Sequence, residues 1–121
     1  MTKSPLVKLN RGQIMEYGQK TDVASLHQAM QIIADNYFFA RNVLIKRIEL
    51  SDDNFNVLIC YIQRVRIAFD SLNLTEKNFL NNEYFYEAFP KWWKSKITYY
   101  RYIQLKAQSI KHFLEVFYVS F

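Results

Sequence analysis

Glycine is nearly missing. The chain of 121 residues has two, Gly12 and Gly18, and then runs 103 residues without another. Hairpin turns with positive φ usually need glycine, so the shortage argues against a sheet built on hairpins and for a helical protein. It also rules out a Gly-rich phosphate loop. Proline is as scarce, at Pro5 and Pro90, so one proline interrupts the body of the chain. Cys60 stands alone, which excludes a disulfide framework and a Cys-based metal site; inside the apolar run Val57 to Tyr61 it reads as a packing residue. No run reaches the roughly 18 apolar residues of a membrane span, and Met1 to Pro5 lacks the apolar region of a signal peptide. A cytoplasmic protein with no membrane partner is expected. Histidine is limited to His27 and His112, and no His, Cys or acidic spacing suits a metal. Ser, His and Asp occur without a context that marks a nucleophile. The chain therefore reads as non-enzymatic, with no cofactor.

What is present is apolar: 50 % of the residues, 21 of them aromatic. That excludes a disordered chain and fills one sizeable core. We expect an all-α fold of four or five helices in a single domain over residues 1–121. Residues 1–21 read as loosely structured, with a short helix at most over Arg11 to Tyr17. Asp22 is placed to cap the next helix. Leu26, Met30, Ile33, Tyr37, Phe38 and Ala40 then recur at helical spacing, giving one long helix, or two broken near Asn36, ending about Leu50. Ser51 can cap a second helix whose start carries Asp52 and Asp53. Its apolar stripe is Phe55, Leu58, Ile59, Ile62, Val65 and Phe69, with Arg64 and Arg66 off it, and it ends near Leu72. These long helices occupy residues 22–72.

Thr75 is expected to cap a third helix, from Glu76 to about Glu87, burying Phe79, Leu80, Tyr84 and Phe85. Pro90 interrupts, and Phe89, Trp92 and Trp93 form an aromatic knot in which at least one Trp should be buried. Asp52 and Asp53 suit a helix start better than acid–base chemistry. The last long helix starts at Thr98, with Ile97 as a staple. Tyr100, Ile103, Ala107, Ile110, Leu114 and Phe117 form its apolar side. The apolar C-terminus is expected to dock on the core or on a second subunit, so a homodimer is admitted.

Charge is sorted by position. From Ala88 to Leu114 there are six cations, Lys91, Lys94, Lys96, Arg101, Lys106 and Lys111, and no acid; the rest of the chain holds ten basic and eleven acidic residues. The net charge of +5 thus comes from one segment. An AT-rich composition would raise the lysine count without sorting it. Such a field suits a phosphate backbone or an acidic protein surface. On a helical wheel Arg101, Gln104, Gln108, Lys111 and His112 fall opposite the apolar side. Arg and Gln pair with guanine and adenine edges, and Lys and Tyr reach phosphates. A recognition helix presents its N-terminal turns to the major groove, which here would place Thr98, Tyr99, Arg101 and Tyr102 there.

The strings Asn82-Glu83-Tyr84-Phe85-Tyr86-Glu87, Ile97-Thr98-Tyr99-Tyr100-Arg101 and Ile110-Lys111-His112-Phe113-Leu114 carry a family likeness. Over residues 57–117 the chain resembles the C-terminal helix-turn-helix of sigma factors (region four), and more closely the phage ArpU-type late transcription regulators. A small mycoplasma family has a similar Trp-Trp plus Thr-Tyr-Tyr-Arg arrangement. The interval before Thr98 is shorter than in the sigma-like motif and lacks its Gly; Phe89 to Ser95 stands there instead. The resemblance implies a helix-turn-helix-like part over residues 75–121 and a transcription regulator or polymerase-associated factor. Its partners would be double-stranded DNA and RNA polymerase. The expected DNA-binding residues are Lys91, Lys94, Lys96, Thr98, Tyr99, Arg101, Tyr102, Gln104, Gln108 and Lys111. The alternative is a helical interaction module that docks its basic face on an acidic partner without binding DNA. A structural relic of a sigma-like domain is a third reading.

Overall fold

Asp22 caps the first helix as its position predicts: its carboxylate accepts from the amide of Ser25 at 3.2 Å and from the hydroxyl of Ser25 at 2.8 Å. The computed structural model describes residues 22–46, 50–86 and 90–119. The readings made for residues 1–21, for Phe89 and for Ser120 and Phe121 lie outside the described residues. Four α-helices account for most of the described chain. They are α1 (Val23–Ile45), α2 (Asp52–Asp70), α3 (Leu74–Leu80) and α4 (Tyr99–Val119). No described residue is in a strand. No helix is long and apolar enough to cross a membrane, among the described residues.

Helix α1 is unbroken at Asn36 and stops at Ile45, short of Leu50. Asn36 is exposed, and its side-chain amide lies against the Tyr61 hydroxyl of α2 rather than competing with the helix backbone. The caps explain the other boundaries. Ser51 Oγ accepts from the amide of Asn54 at 3.2 Å, and Asp52 and Asp53 lie in the first turn of α2, where the helix dipole favours acids. Asn73, not Thr75, caps α3. Its side chain accepts from the amide of Glu76 at 2.8 Å, and the Glu76 carboxylate accepts from the amide of Asn73 at 3.3 Å. This reciprocal pair satisfies two amides at once. A π-helical turn, Asn81–Phe85, continues α3. Residues 90–96 make tight turns, with Lys91 at φ 59°. Thr98 does start α4: its Oγ1 accepts from the amide of Arg101 at 3.1 Å.

Helices α1 and α2 pack on each other, and α4 packs on α1, α2 and α3. Leu26, Met30, Ile33, Phe79, Phe113 and Phe117 are among the fully buried side chains. Burying each contributes about 1.5–3 kcal/mol.

The buried faces of two helices differ from the sequence reading. In α2 the inner face is Arg64, Val65 and Ala68, with Tyr61 packed beside it, while Phe55 is exposed. On the wheel this face lies about 90° from the expected stripe. Cys60, expected to pack, lies about 100° from its centre and is exposed. Arg64, expected to face out, is only 8 % exposed. Its Nη2 donates to the carbonyl of Phe117 at 2.9 Å and its guanidinium stacks 4.1 Å from the centroid of the Phe117 ring. Burial pushes the guanidinium down to about 10. In α4 the inner face runs through Leu105, Lys106, Ser109 and Phe113 as well as Ile110, Leu114 and Phe117. Tyr100, assigned to the apolar side, is 71 % exposed. Three neighbours surround α4, so its buried arc is wider than one apolar stripe and turned away from Tyr100. Both Trp side chains are half-buried; neither is enclosed.

Candidate nucleic-acid interface

The polypeptide between the π-turn and α4 is held by one carboxylate. Glu83 Oε1 accepts from the indole of Trp92 at 2.8 Å, and Oε2 accepts from the Tyr102 hydroxyl and from Lys106 Nζ at 3.0 Å. Burial alone would raise the Glu83 carboxyl, but the three hydrogen bonds and the Lys106 charge outweigh it and hold the group below its ordinary value. Burial and the Glu83 charge push the Tyr102 hydroxyl the other way, so it stays protonated and donates. The ring of Trp93 stacks on that of Tyr102 with centroids 4.4 Å apart, and Tyr99 lies alongside. Trp92 and Trp93 thus fasten the basic turn to the start of α4.

A second buried carboxylate fixes the flank of α4. Glu76 is 2 % exposed. Besides its capping role it accepts from Gln108 Nε2 at 2.9 Å and pairs with His112 Nδ1 at 2.5 Å. Elsewhere, His27 Nδ1 and the Tyr84 hydroxyl lie 2.7 Å apart. Burial, then the charge of Lys106, lowers His27 below its ordinary value.

These pairings sort the expected DNA-binding residues. Lys91, Lys94, Lys96 and Arg101 are exposed, and no ion pair engages them among the described residues. Tyr99 is 66 % exposed and Gln104 is exposed, its Nε2 donating to the hydroxyl of Tyr100 at 3.1 Å. Thr98 is exposed but its hydroxyl oxygen is the cap. Tyr102 points its hydroxyl to Glu83, and Gln108 points its amide to Glu76. Lys106, the sixth cation of the segment, is buried against Glu83. Lys111 is half-buried and about 15 Å along α4 from Arg101.

The structure therefore brings four cations and two tyrosines to one corner, where residues 90–97 meet the first turn of α4. The first amides of α4 add a favourable end for an anion. Sequence reasoning missed two parts. Tyr100 belongs to the outer surface although it is aromatic, because in the first turn of α4 it is Tyr102 that packs against the core. Glu83 and Glu76 hold the corner and flank, yet they come from outside the basic segment; only the Asn73-x-x-Glu76 spacing signalled one of them. The short helix that would precede a recognition helix is replaced by turns. Groups of acids, histidines or cysteines suited to a metal are absent among the described residues. Comparison with protein-family models, with curated proteins and with solved structures finds no match.

Proposed function

We propose that this chain is a non-enzymatic DNA-binding protein that grips a duplex with the corner formed by the basic turn and the start of α4. The observation that carries this reading is the set Lys91, Lys94, Lys96 and Arg101. All four are exposed and free of ion pairs among the described residues, next to exposed Tyr99 and Tyr100. The lysines take phosphates. Arg101 and Gln104, on the outer side of the first turns, reach toward base edges. Because the buried residues of α4 start at Leu105, it approaches the groove by its N-terminal end. A role in transcription follows from the sigma-like and ArpU-like resemblance.

A salt series on a mixed-sequence duplex tests the reading. About three phosphate contacts predict that log K falls with log salt at a slope near −2.7. Changing Lys91, Lys94 and Lys96 to Ala together should weaken all sequences alike and flatten the slope by about 2.7. Absence of duplex binding at low salt overturns the DNA reading. One observation favours a second reading. Glu76 and Glu83 occupy Gln108 and Tyr102, which leaves a small base-reading surface, so an acidic face of RNA polymerase would suit the same corner. Pull-down of polymerase subunits that survives nuclease treatment and fails in the triple Ala variant would establish it.

A further inference from the structure

Helix α2 has more apolar surface than this domain covers. Its inner face, Val65 and Ala68, meets the core. A second stripe, Ile59, Ile62, Arg66 and Phe69, lies about 110° round the wheel. It lines an open groove along the seam of α1 and α2. The groove has two adjoining hollows, of about 450 Å³ and about 370 Å³. Tyr37, Phe38 and Phe85 wall the larger one, and Leu44 and Ile45 the smaller. Arg41 and Arg66 line both and so stand at the junction. Helix α4 packs on both α1 and α2, and the groove lining contains no α4 residue.

The charge identifies the occupant. Arg41 and Arg66 are exposed, and neither has an acidic partner among the described residues. Arg41 stacks on the Tyr37 ring at 5.7 Å, and Asp70 and Asn81 also line the larger hollow. Two guanidiniums against one carboxylate leave the groove net positive, which suits a further carboxylate flanked by apolar side chains. A second copy of this chain fits less well, because it would set one net positive groove, with Arg41 and Arg66 against Asp70, on another. Residues 1–21 also fit poorly, since they carry Lys3, Lys8, Arg11 and Lys20 against Glu16 alone. From Ile59 to Asp70 the α2 side runs about 16 Å, or three helical turns.

We propose that the α1–α2 groove docks an acidic amphipathic helix of a partner protein, with apolar side chains in the two hollows and a carboxylate between Arg41 and Arg66. This is a helix-in-groove contact, separate from the basic corner. The probe is a synthetic helix of about four turns bearing Leu and Phe at i, i+3 and i+7 with Glu beside them, titrated into the full ¹⁵N-labelled chain. We expect amide shifts centred on Phe38, Arg41, Ile62, Arg66 and Phe69. A control peptide with Lys in place of Glu should bind at least tenfold more weakly. The double variant R41E/R66E, both on the surface, should reverse that preference while its spectrum stays folded. Equal binding of the two peptides, or shifts elsewhere on the chain, would overturn the proposal. So would a dimer in sedimentation that R41E/R66E abolishes, or nuclear Overhauser contacts from residues 1–21 into the groove.

Discussion

Glu83 takes donors from three places, the turn at Trp92, the first turn of α4 at Tyr102 and its second at Lys106. Removing it leaves a buried ammonium without a counter-charge. Glu83→Ala should therefore cost about 3 kcal/mol in urea unfolding. The variant should also loosen the basic turn, seen as faster amide exchange at Lys94 and Lys96. Lys91 makes the opposite case. It holds φ 59° without being glycine, a conformation that costs a non-glycine residue roughly 1–2 kcal/mol. Lys91→Gly should raise stability by about 0.5 kcal/mol after the entropy loss of glycine, while Lys91→Ala should not. Neither residue was legible in this role. A charge pair 23 positions apart has no local signature, and a left-handed lysine looks like any other lysine.

At the scale of elements, the start signals were the most readable part of the chain. Asp22, Ser51 and Thr98 each cap the helix that their position announces, because a cap is a local bond between neighbours in sequence. The start of α3 was misread for a reason that the bond itself exposes. Both Asn73 and Thr75 can cap, but only Asn73 stands three before Glu76, which closes the capping box. Asn73→Ala should cost about 1 kcal/mol in thermal or urea unfolding, and Thr75→Ala less than about 0.5 kcal/mol. The faces of α2 and α4 were less legible. A wheel averages all apolar residues into one direction. In α2 that average blends a core face with a groove face. In α4 three neighbours widen the buried arc and draw in Lys106 and Ser109. Of the candidate site, the positions Lys91 to Gln104 came from charge clustering. The withdrawal of Tyr102, Lys106 and Gln108 into internal bonds depends on Glu76 and Glu83, which no pattern near the basic segment reveals.

For the whole molecule, two groups among the described residues couple folding to pH on the acid side. His27 is lowered by burial and by Lys106, so its neutral form belongs to the fold. That contribution is complete above the ordinary value of 6.5 and is lost as pH falls through the lower folded value. Glu83 is also lowered. Its contribution is complete above 4.5 and fades at more acid pH. The urea midpoint should therefore hold from pH 8 to about 6.5, decline below that, and decline again below about 4.5. His27→Gln should remove the first decline and leave the second. The helical class was plain from the want of glycine, whereas this coupling rests on residues that only the fold brings together. The π-turn Asn81–Phe85 has a consequence of another kind. A π-turn is an α-turn with one residue more, and one residue rotates everything after it by about 100°. Deleting one residue of the turn would undo that rotation, and the glutamate at position 83 would no longer face the indole of Trp92. The length of the turn, the glutamate and the tryptophan therefore depend on one another.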